Sequence, residues 1–189
     1  MKKKETILSM MMIICLFFAS STLRAQDYKH SIGAMGGTIN GITYKLFLSD
    51  YFAFEVDASL GMEPLYYRGT QGMPWSINLM PAIMWQDYIG RSDLSWFIGL
   101  GLNGGYCFKG NYDIDKWDDT IYSDFFRLRK GSAKISLMTI EGLEYTLPSF
   151  PLTFQLDIRA GIGAKFIKNT GATLHIDLMS AFSIRYVLE

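Results

Sequence analysis

The chain carries two cysteines, two histidines, five prolines and no excess of either charge, with 18 basic against 18 acidic residues. Each shortage excludes something. One of the two cysteines, Cys15, lies in an N-terminal segment that is expected to be removed. Cys107 then stands alone, and an internal disulfide scaffold is excluded. With only His30 and His175, on well-separated segments, no Ser/His/acid arrangement is legible. Charge balance argues against a general nucleic-acid surface. Beyond the first two dozen residues no uninterrupted apolar stretch approaches the length of a transmembrane helix.

What is present pulls the other way, because 49% of the residues are hydrophobic and 15% aromatic. The front end accounts for a part. Lys2, Lys3 and Lys4 precede a charge-free, mostly apolar stretch from Ile7 to Ala19, and Leu23-Arg24-Ala25 precedes Gln26. This is the pattern of a secretory signal peptide over residues 1–25, with cleavage after Ala25. A retained anchor is the alternative, against which the short apolar core speaks. Ile14 before Cys15 stands where a lipoprotein signal has a small residue, so no lipidation is predicted. Removal takes four basic and one acidic residue, leaving 14 against 17 and a net charge of −3 on residues 26–189, a length that suits one domain.

Strands of period two are the other way to place apolar side chains on one surface. Eight such segments are legible. The first two are Lys29 to Gly37 and Gly41 to Leu48, the second with Ile42, Tyr44, Leu46 and Leu48 on one face. Ser49-Asp50 turns into Tyr51 to Glu63, where Phe52, Phe54, Val56, Ala58, Leu60 and Met62 oppose Glu55, Asp57 and Ser59. Leu65 to Pro74 reads as a loop. In the fourth segment Trp75, Ile77, Leu79, Pro81, Ile83 and Trp85 alternate with Ser76, Asn78, Met80, Ala82, Met84 and Gln86. Pro81 removes a ladder donor there and predicts a local bulge.

A turn near Gly90 to Asp93 leads to Leu94 to Phe108, where Trp96, Ile98, Leu100, Leu102 and Tyr106 oppose a row of Ser95, Gly99, Gly101, Asn103 and Gly105. Missing side chains on that row make room for bulky neighbours in a narrow interior. Lys109 to Lys130 is the longest loop. Its Asp113, Asp115, Asp118, Asp119 and Asp124 lack the EF-hand spacing, so a solvated loop is preferred to a calcium site. The sixth segment, Ala133 to Leu147, groups Ile135, Leu137, Leu143 and Tyr145, but strict alternation puts Glu141 with them. Either Glu141 lies near a membrane boundary or a bulge resets the register. After Pro148 to Pro151, the seventh segment alternates without a break from Leu152 to Phe166. Asn169 to Gly171 connects it to His175 to Leu188, where Ile176, Leu178, Phe182, Ile184, Tyr186 and Leu188 share a face.

Lys45, Glu55, Asp57, Glu144, Asp157, Arg159, Lys165, Asp177 and Arg185 all fall on the face opposite the apolar one. Eight is an even number of strands, which lets a sheet close on itself with paired charges inside and apolar side chains toward lipid. The predicted fold is therefore all-β, an eight-stranded antiparallel transmembrane up-and-down β-barrel with a plugged polar interior. Trp75, Trp85, Tyr88, Trp96, Tyr106, Phe154 and Tyr186 lie near strand ends and are candidates for aromatic girdles. A soluble lipocalin-like carrier is the competing reading, with the apolar face inside.

Three pieces, Gly41 to Glu55, Glu141 to Leu147 and Phe182 to Leu188, resemble the bacterial outer membrane beta-barrel domain family related to OmpX and opacity-type surface proteins. The likeness covers residues 27 to 189. It implies short periplasmic turns, longer external loops, a location in the cell outer membrane and a monomer surrounded by outer membrane lipids. It also implies recognition of the aromatic C-terminal strand, through Phe182 and Tyr186, by the outer membrane assembly machinery. Where an aromatic terminus is common in the family, this chain ends in Glu189. The implied role is envelope-structural or surface-interacting, with an unidentified surface ligand met by 65–74 and 109–130. A narrow porin-like channel and a lipid-modifying outer membrane enzyme are the other roles to weigh. No catalytic, cofactor or metal residue is assigned, and no enzyme activity is expected.

Overall fold

Alternation of side chains along the chain becomes alternation across a single curved sheet. The computed structural model describes residues 28–62, 75–90, 93–108, 131–167 and 171–188, and it is all-β and antiparallel. Residues 1–25, 65–74 and 109–130, read above as signal and loops, lie outside the described residues. Among the described residues eight strands follow in order: β1 (His30–Gly37), β2 (Ile39–Phe47), β3 (Phe52–Met62), β4 (Trp75–Tyr88), β5 (Leu94–Cys107), β6 (Ser132–Thr146), β7 (Leu152–Ile167) and β8 (Gly171–Leu188). Among the described residues no helix is long and apolar enough to cross a membrane, which says nothing about strands.

Each strand pairs with the next, and β8 pairs back onto β1, with His30 opposite Leu188 and Gly37 opposite Ala181. Hydrogen bonding therefore runs through a ring of eight. Three connections at one end are short: 48–51, 89–93 and 147–151. At the other end β1 and β2 are joined by Thr38 alone, with Gly37 at φ 147° taking the backbone conformation that side chains disfavour.

Register around the ring fixes its slant. Direct partners starting at His30 are Leu46, Phe54, Ile83, Leu100, Thr139, Ala160 and Leu178. The path thus returns to β8 ten residues away from Leu188, the direct partner of His30. Such a stagger requires strands tilted by roughly 40° to the ring axis.

Two expected irregularities are absent. No bulge forms at Pro81, since β3 pairs with β4 in one register from Phe52–Trp85 to Met62–Trp75. On the β5 side the ladder skips Met80 and Pro81, then resumes in the same register, with Leu79 opposite Gly104 and Ala82 opposite Gly101. The Pro81 carbonyl points toward Gly101, so the missing N–H also faces β5. The proline therefore deletes ladder bonds without inserting a residue. Nor does β6 bulge at Glu141, which is exposed and directly opposite Ile98 and Ile158. The register is unbroken there and Glu141 simply keeps its outward place in the alternation. β8 also begins four residues before His175, at Gly171.

Candidate functional site: the charged interior

Burial is inverted relative to a water-soluble sheet. Ile42, Leu100 and Ile158 are 63%, 61% and 60% exposed, whereas Lys45, Arg159 and Arg185 are 0% exposed. All nine charged residues assigned from alternation to the polar face are buried inside the ring, together with Lys134, which was missed although it stands two residues before Ser136 on the same face. The ten comprise five cations and five carboxylates.

Near the short-turn end Arg185 bridges two carboxylates, donating from Nη1 to Glu55 Oε2 at 2.8 Å and from Nη2 to Glu144. Lys45 Nζ reaches Glu144 Oε2 at 2.9 Å and donates to Gln86, and it lies 5.2 and 5.0 Å from the ring centroids of Phe47 and Phe97. Gln86 Nε2 donates to Ser95 Oγ at 2.7 Å and Glu144 Oε1 at 2.9 Å. Tyr28, just ahead of β1, closes this end by donating to Glu144 Oε1 at 2.7 Å and packing edge-on to Phe47. Burial, and secondarily the Glu144 carboxylate, push its phenol pKa up, which keeps it a donor. One level higher, Arg159 Nε donates to Asp157 Oδ1 at 2.6 Å, with its Nη atoms on Asp57 and Glu55.

A separate network occupies the long-loop end. Asp177 Oδ1 accepts from Lys134 Nζ at 3.1 Å and lies 2.9 Å from His175 Nε2; its Oδ2 accepts from Asn103 Nδ2 at 3.0 Å and from Ser136 Oγ. The two histidines are apart, since His30 pairs with Tyr44. Among the described residues no group of three or more His, Cys, Asp or Glu is placed to hold a metal ion.

On β4, β6 and β8 the inward row is apolar in its middle, a feature that the expectation of a polar interior did not include, while Glu55, Asp57, Asp157 and Arg159 lie beside it on β3 and β7. Inward residues read Asn78, Met80, Ala82, Met84, Gln86 on β4, Ser136, Met138, Ile140, Gly142, Glu144 on β6 and Asp177, Met179, Ala181, Ser183, Arg185 on β8. On each strand a hydrophobic middle separates two polar ends. From β7, between β6 and β8, Arg159 crosses this layer, its Nη1 lying 3.9 Å from Met80 Sδ on β4. The inward glycines of β5 make the layer fit: a Cβ on Gly99 would sit 2.6 Å from Met84 Cγ, and one on Gly101 2.8 Å from Ala82 Cβ. Room for bulky neighbours was the role expected of those glycines, and the methionines fill it.

The arrangement can brace eight strands and block the axis of the ring. No protein-family model matches the chain, and no curated protein matches it at a significant level.

Proposed function

We propose that the protein is an integral outer membrane β-barrel, plugged along its axis, with an envelope-structural or surface-interaction role carried by 65–74 and 109–130. One observation carries this reading: apolar side chains cover the outside of the ring while ten charged side chains, five of each sign, are buried within it. In water that inversion would leave a continuous apolar wall far larger than the patches soluble monomers expose. In lipid the same wall is favourable, and a ring leaves no unpaired sheet edge where it closes. Exposed Trp75, Tyr106 and Phe166 at one end and Tyr145 and Tyr186 at the other suit two aromatic girdles. The lipocalin-like alternative requires the apolar face inside, and a channel requires an open axis.

The test is folding of the purified chain into detergent, with β-rich circular dichroism and gel migration before and after boiling. Faster migration of the unheated sample is expected. A single migration form, or a chain that stays monomeric and soluble without detergent, overturns the reading. For the role itself, deletion of 109–130 is expected to abolish surface binding while retaining the unheated gel form. Unchanged binding to host or neighbouring-cell surfaces removes that segment from the proposal.

A further inference from the structure

The interior charges do not cancel within each network. Those at the short-turn end and one level above it are Lys45, Arg159 and Arg185 against Glu55, Asp57, Glu144 and Asp157, three cations to four carboxylates. The surplus is one negative charge, and it can be traced to one atom. Of the eight oxygens on these carboxylates, seven accept hydrogen bonds, from Tyr28, Lys45, Gln86, Gln155, Arg159 or Arg185. The eighth, Asp57 Oδ1, is buried and accepts none among the described residues.

Two hydroxyls beside that oxygen are unbonded as well. Thr43 stands directly opposite Asp57 on β2, which puts their Cβ atoms about 5 Å apart. Ser59 follows two residues after Asp57 along β3, on the same inward face and about 7 Å away. Thr43 is 1% exposed, Asp57 0% and Ser59 6%, yet neither hydroxyl has a hydrogen-bond partner among the described residues, and neither bonds to Asp57. Gly41, directly opposite Ser59, adds no side chain there. Buried polar atoms are ordinarily paired, and three uncommitted oxygens at neighbouring positions call for a shared partner.

We infer that Asp57 Oδ1, Thr43 Oγ1 and Ser59 Oγ form a binding site for a small monovalent cation, sodium. The three donors are all oxygens, which hard cations take, and each hydroxyl has lone pairs to offer. One positive charge matches the surplus of one, whereas a divalent ion would overshoot it. Arg159 does not compete for the free oxygen, since it grips Asp57 through Oδ2 and divides its charge among Asp57, Asp157 and Glu55. A water molecule would satisfy the hydroxyls but leave a buried charge uncancelled, which is the costlier arrangement. Ser183 Oγ is also without a partner among the described residues, but it lies on β8, three strands round the ring from Asp57. The site depends on neither 65–74 nor 109–130, so it stands apart from the role proposed for those segments.

The experiment is urea unfolding of the full chain in phospholipid vesicles, with sodium chloride exchanged for choline chloride at a constant ionic strength of about 0.15 M so that screening does not change. Sodium is expected to raise the ratio of folded to unfolded chain about tenfold, as a ligand at about ten times its dissociation constant does. Thr43→Val with Ser59→Ala removes two of the three oxygens, alters no charge and should abolish the sodium response. Asp57→Asn removes the surplus charge and should abolish it too, whereas Ser183→Ala should keep it. Equal stability in the two salts, a sodium response that survives Thr43→Val with Ser59→Ala, or one lost equally in Ser183→Ala overturns the site and leaves the three oxygens to water or a proton. Should Asp57→Asn fail to fold, the hydroxyl variant decides by itself. Gel migration before and after boiling, read on the same samples, reports on the barrel separately.

Discussion

At the residue scale the interior charges are coupled tightly enough that removing one partner is worse than removing several. Arg159 meets Asp157, Asp57 and Glu55 while fully buried. Arg159→Met would leave three carboxylates without their shared cation, and the cost of breaking a buried pair in this way is about 3–5 kcal/mol. Urea titration in phospholipid vesicles should show that loss, with much of it recovered when Asp57→Asn and Asp157→Asn are added. A single variant as stable as the parent would mean that the arginine does not hold the carboxylates. The glycines divide just as sharply. A Cβ on Gly142 would run into the Leu156 carbonyl and the Phe97 ring, the latter at 2.6 Å, whereas one on Gly104 meets nothing within 4 Å. Gly142→Ala is expected to lower the urea midpoint and Gly104→Ala to leave it unchanged; equal effects would show that inward crowding does not limit this wall.

At the element scale, the existence and order of the eight described strands, and the facing of seven of them, were legible because one residue type alternated with another, and alternation is a geometric property of the strand itself. β7 is the clearest case, with Arg159 and Asp157 inward and Ile158 outward. What alternation did not reveal was register between strands. Pro81 was expected to force a bulge, but its effect depended on which neighbour its nitrogen faced, and that is set by pairing with β3 and β5. Restoring the donor with Pro81→Val should therefore rejoin the β4–β5 ladder and raise stability in vesicles by about 1 kcal/mol. Destabilisation instead would show that the proline ring packs better than the ladder it interrupts. The extra length of β8 was hidden for the same reason, since Gly171 and Ala172 carry no alternating signal of their own. The two polar networks of the interior were legible as a set of charges. Their separation by Met80, Met138 and Met179 was not, because strand alternation assigns a side chain to a face and leaves its height to the stagger of the ring.

At the scale of the whole molecule, a lipid environment and a watery one make opposite demands on the outer wall, and Glu141 lies where they can be told apart. Its backbone is in unbroken register with β5 and β7, and its side chain is exposed among Ile98, Leu143 and Ile158. It stands four residues from Tyr145, which the proposed girdle places at the short-turn level, so it lies about 10 Å into the apolar band along the tilted strand. A carboxylate there costs free energy in lipid, though less than a basic side chain at the membrane midplane, whose cost is about 2–4 kcal/mol. Glu141→Leu should accordingly stabilise the protein in phospholipid vesicles by about 1–2 kcal/mol. In water the same substitution enlarges an exposed apolar surface and has no reason to stabilise. Urea midpoints of Glu141→Leu and Glu141→Gln, compared in vesicles, separate the two environments. A leucine variant no more stable than the parent would sink the assignment of this wall to lipid, while a gain in both, larger for leucine, is what a membrane-facing carboxylate requires.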